Sequence, residues 1–289
     1  MSKVDESKHC SPAVNAKDGS CFNFNTLISL IKIYNEKNPK NPILFEKNAI
    51  EKIKTNPKEY KLHLLEKLEE RLNDECDNQR CWIVHSVFRN RDGKINDNIL
   101  KLRHQVFKPE RPKGKEWLSN FDIGAVLDQY EKKYPSFYGF VYNYHNFIHH
   151  GYDFPDFKEL EKSGKTKLGY VYNTGAHWIA IYIDLAAGYV YNFDSMGSRP
   201  TGDIPALIEK AKKYIIKKGI EPDVRINTVE YQRGNDECGV FSILFIIKLA
   251  EGMNYDNYIK WLVSVKGNHE DDGINKMRDY FFTTYSKKK

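Results

Sequence analysis

The run Tyr231-Gln232-Arg233-Gly234-Asn235-Asp236-Glu237-Cys238-Gly239-Val240-Phe241-Ser242 decides how the rest of the chain is read. A polar, acidic turn gives way at Cys238 to an apolar stretch, Val240 to Ala250, that reads as a buried helix. Cys238 therefore falls at a helix N-terminus, where backbone N–H groups and the helix dipole favour an anion. Thiolate is the nucleophilic form of cysteine, so this position suits an activated thiol. Gln232, six residues upstream, can bring an amide N–H to the same point. A nucleophilic cysteine needs an imidazole base, and the base needs a carboxylate or amide to orient it.

Both partners are supplied by one predicted hairpin. Trp178-Ile179-Ala180-Ile181-Tyr182-Ile183 is β-rich and leads through Asp184-Leu185-Ala186-Ala187-Gly188 into Tyr189-Val190-Tyr191-Asn192-Phe193-Asp194. His177 precedes the first strand and Asp194 ends the second, so antiparallel pairing makes them neighbours despite 17 residues of separation. Asp194 is expected to accept from Nδ1 and fix the tautomer, leaving Nε2 for the thiol. Asn192 shares the strand parity of Asp194 and is the reserve orienting residue. Singly, each residue has an ordinary reading: a strand-capping histidine, a turn-initiating aspartate, a polar strand-end glutamine, a buried cysteine. The joint spacing His-Trp, Asp, Gln, Cys-Gly is far more specific.

Outward from this unit, helices are predicted over Asp203 to Lys218, with Asp203 as N-cap and Gly219 as the stop, and over about Asp256 to Tyr280. Val224 to Tyr231 reads as a strand. Upstream, Lys108-Pro109-Glu110-Arg111-Pro112-Lys113-Gly114 is a Pro- and Gly-rich linker, followed by Trp117-Leu118-Ser119-Asn120-Phe121-Asp122-Ile123 opening a helix to about Lys133. Residues 1–107 form a mostly helical N-terminal region and residues 108–289 the catalytic domain. The N-terminal helices are expected from Asn25, with Asn25 or Thr26 as the cap, near Ala49 to Lys54, and over Pro57 to Leu72, the last with Leu62, Leu65, Leu68 and Leu72 on one face. Aromatics crowd Tyr134 to Phe157, a stretch expected to mix a strand, loops and a short helix. His145, His149 and His150 lie in it without an accompanying carboxylate or cysteine at ligand spacing.

Composition narrows the class. The 289 residues are 40% hydrophobic and 13% aromatic, as in a globular chain with a sizeable core. No apolar run reaches membrane-spanning length, and Met1-Ser2-Lys3-Val4-Asp5-Glu6 lacks the apolar core of a secretory signal, so no membrane insertion and an intracellular setting are expected. The net charge of +6 is spread evenly among interleaved acidic residues, so nucleic-acid binding is not indicated. Five cysteines (Cys10, Cys21, Cys76, Cys81, Cys238) at irregular spacing read as thiols and not as a disulfide framework. Their spacings miss zinc-site patterns; no metal and no cofactor are expected.

The quartet His177, Asp194, Gln232 and Cys238, in that order, with the His177-Trp178 pair and the six-residue step from Gln232 to Cys238, resembles the SUMO-protease and adenovirus-endopeptidase group of cysteine proteases. Over nearly the whole chain the resemblance is closer to the polyprotein-processing proteases of African swine fever virus and related large DNA viruses. It includes Gly19-Ser20-Cys21, the Trp117 to Ile123 stretch and Asn192-Phe193-Asp194-Ser195. The African swine fever virus enzyme has Asn where this chain has Asp194. The resemblance implies an α+β fold: a papain-like, adenovirus-endopeptidase-like core with a central mixed sheet flanked by helices. It implies that Cys238 attacks the scissile carbonyl, that His177 moves the proton, that Asp194 orients His177, and that Gln232 with the Cys238 N–H holds the oxyanion. Trp117 and Trp178 match two tryptophans that wall a slot for a Gly-Gly segment.

The expected activity is a cysteine endopeptidase cleaving after Gly-Gly-like sites, with a viral structural polyprotein as protein substrate, acting in host cytoplasm and virion. The alternative with the same site is a SUMO- or ubiquitin-deconjugating protease. An acyltransferase of related fold would usually carry Glu in place of Asp194, and a silent binding module would not keep the full quartet. The oligomeric state is not encoded in any motif.

Overall fold

A computed structural model of the chain describes residues 6–90, 92–95, 97–143, 154, 156–266 and 271–284. The chain divides into two compact units. One runs up to Lys108 and is joined by the chain from Thr283, and the other is Pro109–Phe282.

The first unit is helical among the described residues: α1 Phe24–Lys37, α2 Ala49–Thr55, α3 Pro57–Leu72, α4 Gln79–Val84 and α5 Asp97–Val106. The cap of α1 is Asn23, whose side chain accepts from Thr26 N–H, two residues earlier than the apolar periodicity suggested. Its core gathers Leu27, Leu30, Ile31, Leu64, Leu68, Leu72, Phe22 and Phe107. Leu64 replaces Leu62 on the buried face of α3. Gly19-Ser20-Cys21 is built into this core. Ser20 and Cys21 are buried, and Gln79 Oε1 accepts from Ser20 Oγ at 2.9 Å and from Cys21 N at 3.2 Å.

The cysteines correct the sequence reading. Cys10–Cys21 and Cys76–Cys81 are disulfides, and Cys238 alone is free. The first pair is brought together by the pairing of Cys10 with Phe107 and of Ser11 N–H with Val106 O, contacts no local spacing announces.

The second unit is a mixed five-stranded sheet with helices on both faces. Its elements are α6 Asn120–Lys133, β1 Phe137–Asn143, α7 Phe157–Lys162, β2 Lys167–Asn173, β3 Trp178–Asp184, β4 Tyr189–Phe193, α8 Ile204–Lys217, β5 Asp223–Ile226, α9 Cys238–Ala250, α10 Tyr255–Lys266, α11 Asp272–Lys276 and α12 Arg278–Phe281. Strand order follows the sequence, with β2–β3 and β3–β4 antiparallel and the outer pairs parallel. Every residue of the central β3 is buried, because alternate side chains enter two different cores. Trp178, Ala180 and Tyr182 face α9 and α6. Ile179, Ile181 and Ile183 face Leu207, Ile208, Ala211 and Ile215 of α8.

α9 is apolar nearly all round, as a helix enclosed by a sheet and other helices must be. It lies so close to β2 that a Cβ at Gly169 would sit 2.3 Å from Ile246 Cγ2. Phe245 stacks on Phe193 with centroids 4.9 Å apart, and Tyr258 meets both edge-on. One sequence expectation changes here. The predicted strand from Val224 to Tyr231 is ordered as β5 only to Ile226, and the last helical segment contains α10, α11 and α12. β1 and α7 are the strand and helix of the aromatic stretch, while His145, His149 and His150 lie outside the described residues.

Candidate active site

Cys238 is the first residue of α9 and is 1% exposed. The preceding Glu237 makes no side-chain capping bond, so its carboxylate does not occupy the first N–H groups of the helix. Arg278, fully buried, interacts electrostatically with Glu237, Asp236 and Cys238 from α12, and Nη2 donates to Asp236 O at 3.1 Å. Burial lowers the Arg278 guanidinium from its ordinary value, and burial beside Asp271 and Asp236 raises the Glu237 carboxyl.

The hairpin places the imidazole. Ala180 pairs with Phe193, and continuing that register sets Asp194 opposite Ile179, diagonal to His177 on the same face. His177 Nε2 meets Asp194 Oδ1 at 2.7 Å. This reverses the sequence expectation: Nε2 takes the carboxylate, and Nδ1 is the nitrogen left for Cys238. Asp194 is 1% exposed and its Oδ1 also accepts from Met196 N at 2.8 Å, which locks the carboxylate. Burial disfavours the imidazolium, but the hydrogen bonds to Asp194 and Cys238, with their charges, outweigh it and push His177 up to about 9. Asn192 stays in the sheet, its Nδ2 donating to Ala180 O at 3.3 Å, and does not orient His177.

Gln232 is buried and held at both ends of its amide. Oε1 accepts from Ser195 Oγ at 2.7 Å, and Nε2 donates to Gly234 O at 2.7 Å. The Gly234 carbonyl, which only accepts, fixes which end is NH₂, and one Nε2 hydrogen remains after Gly234 is served. Ser195 O also accepts from Tyr231 N and Gln232 N, tying the histidine-orienting loop to the cysteine-bearing one.

Trp117, Trp178 and His177 line one cleft of about 300 Å³ together with Leu118, Ser119, Asn120, Asn173, Gly175 and Ala176. Trp178 is buried, with Nε1 donating to Leu118 O at 2.9 Å. Trp117 is 48% exposed, and its Nε1 donates to Asp236 Oδ1 at 3.0 Å. Gly239 is packed beneath Trp178: a Cβ there would lie 3.1 Å from Leu118 Cβ and 3.3 Å from Trp178 Cδ1.

With this geometry in hand, the comparisons with known proteins are specific. Residues 168–286 match the model of the Ulp1 protease family, C-terminal catalytic domain. That stretch is similar to the Ulp1-type catalytic domain, and the chain is a cysteine peptidase. A thiol protease of Acanthamoeba polyphaga mimivirus is 29% identical over 303 residues, spanning 94% of this chain and 92% of its own. The cysteine protease of African swine fever virus is 23% identical over 277 residues, spanning 81% of this chain and 98% of its own. In other isolates of that virus it is named a SUMO-1 cysteine protease. The crystal structure of the African swine fever virus protease superposes with a TM-score of 0.63 at 22% identity, covering 96% of each chain, so the fold is shared through both units.

In this cysteine peptidase the sequence pattern pointed to His177, Asp194, Gln232, Trp178 and Trp117, but not to the groups that hold them. Ser195 stood inside a quoted motif without a role, and Asp236, Asp271 and Arg278 carried no local signal. Among the described residues, Asp74, Glu75 and His85 are the grouping whose ligand atoms lie within 4.8 Å of one another. They belong to the first unit, and His85 and Glu75 are already engaged by Asp74 and Ser86. Among the described residues no helix is long and apolar enough to cross a membrane.

Proposed function

We propose that the protein is a cysteine endopeptidase that cleaves after small, Gly-Gly-like dipeptides and matures a viral structural polyprotein. The observation that carries this reading is the cleft in which His177 stands beside Trp178 and Trp117. In this reading the two indoles wall the acyl side of the thiol and select glycine over larger side chains. The polyprotein substrate is favoured by likeness to viral proteases over both units and not over the catalytic domain alone.

In the proposed mechanism Cys238 is thiolate and His177 imidazolium. Sγ attacks the scissile carbonyl carbon, and the oxygen takes the electron pair. Gln232 Nε2–H and the Cys238 backbone N–H stabilise that oxyanion. Collapse of the intermediate breaks the C–N bond, and His177 Nδ1 gives its proton to the departing amine. His177, now neutral, takes a proton from water, whose hydroxide attacks the thioester and releases the acid, returning thiolate and imidazolium. Asp194 keeps the ring in place throughout.

A second reading, deconjugation of SUMO or ubiquitin, uses the same residues and is motivated by the name that some African swine fever virus relatives bear. Incubation with Gly-Gly-X peptides and polyprotein-derived segments, beside SUMO and ubiquitin conjugates, separates the two. Cleavage of the peptides with conjugates left intact is expected; the reverse pattern overturns the polyprotein reading.

A further inference from the structure

The loop between Gln232 and Cys238 has a demanding task. It lacks helix or strand structure, yet it must hold the glutamine amide and the thiol in fixed relation. Its restraint comes from a residue distant in sequence. Asp271 Oδ2 accepts from Arg233 N at 2.7 Å and from Gly234 N at 2.7 Å. The carbonyl of the same Gly234 is the acceptor for Gln232 Nε2. One carboxylate oxygen therefore holds the two peptide N–H groups just before the Gly234 carbonyl at which the amide is aimed, while Ser195 holds its other end.

Several features argue that Asp271 is more than a packing residue. It is 2% exposed, and its Oδ1 has no hydrogen-bond partner among the described residues. It is also the non-glycine residue with positive φ among the described residues, at 24°. A buried carboxylate near Glu237 with a left-handed backbone is costly, and such strain collects where a site is being preorganised. The loop is fitted closely to it: a Cβ at Gly234 would lie 2.9 Å from Glu237 Oε2 and 3.5 Å from Asp271 Oδ2.

We propose that Asp271 is a positioning residue of the peptidase, acting through Gly234 to hold the Gln232 amide at the oxyanion position. It touches neither substrate nor the reacting atoms. The inference rests on the reading of Gln232 as oxyanion donor, and its test separates the two.

The full-length chain is compared with Asp271→Ala, Asp271→Asn, Gln232→Ala and the double variant Gln232→Ala/Asp271→Ala. For each, kcat and KM on a Gly-Gly-X peptide are measured beside the rate of Cys238 alkylation by iodoacetamide, a reaction that needs no oxyanion donor. Asp271→Ala is expected to lower kcat about ten- to a hundredfold, with KM and alkylation within about twofold of the parent. Asp271→Asn keeps an acceptor and tolerates the left-handed backbone, so it should fall between the two. The double variant should be no worse than Gln232→Ala alone, because both act on one interaction.

An unchanged kcat in Asp271→Ala, or full additivity in the double variant, overturns the inference. So does loss of alkylation in step with kcat, which marks general disruption. Should the alanine variant fail to fold, Asp271→Asn decides: a kcat loss above about threefold with alkylation intact supports the role, and parental kcat refutes it. If Gln232→Ala itself leaves kcat unchanged, it is the oxyanion reading that fails.

Discussion

Replacing Asp194 by alanine should move the basic limb of the activity profile and change how stability depends on pH. His177 is raised from 6.5 to about 9, a preference for the protonated ring on the order of 3 kcal/mol. Burial works against that charge, and the Asp194 hydrogen bond heads the interactions that overcome it. The pair is well shielded, with side-chain exposures of 21% for His177 and 2% for Asp194. In the parent, kcat/KM should hold through neutral pH and fall as pH rises through about 9, where the imidazolium is lost. In Asp194→Ala that limb should move down by at least about one pH unit, and kcat/KM at neutral pH should fall by about 10²–10⁴.

The stability effect has a definite sign. A folded-state value raised above the unfolded one stabilises the fold fully below about 6.5 and loses that contribution as pH rises through about 9. The gap in urea midpoint between parent and variant should therefore be larger at about pH 6 than at about pH 10. Profiles of kcat/KM and of iodoacetamide alkylation, with urea melts at both pH values, test this. A basic limb unmoved by the substitution, or an equal stability gap at both pH values, would refute the reasoning.

Gly239→Val should destabilise the second unit by about 1–3 kcal/mol in urea melts, since the new side chain meets Leu118 Cβ and a Trp178 ring pinned by its bond to Leu118 O. An unchanged midpoint would mean that this packing yields without strain. Reduction of Cys10–Cys21, which spans 11 residues, should lower the stability of the first unit by about 2–3 kcal/mol on the chain-entropy account. A melt of the full-length protein indifferent to reductant would contradict that linkage.

The legible parts of this protein are those in which local pattern and function coincide. β3 and β4 declared themselves through β-rich runs around a Gly-containing loop, and their ends brought His177 to Asp194. The change from acidic turn to apolar helix at Cys238 was equally visible. What escaped depends on geometry that residue types do not carry. The choice of Nε2 for Asp194 is a matter of side-chain placement at the start of β3. The clamp of Asp271 on Arg233 and Gly234 is a side-chain-to-backbone contact across 37 and 38 positions. The pairing of Cys10 with Cys21 depends on the N-terminal segment docking beside Phe107, and the cysteine spacing gave no hint of it.

The central claim is that Cys238, alone among the five cysteines, is the nucleophile of a peptidase selective for Gly-Gly. Its most direct test is treatment of the full-length protein with a Gly-Gly vinyl sulfone, followed by intact-mass analysis and peptide mapping. The account predicts one adduct, on Cys238, abolished in Cys238→Ser together with peptide cleavage. An adduct mapped elsewhere, or cleavage that survives the serine substitution, would contradict it.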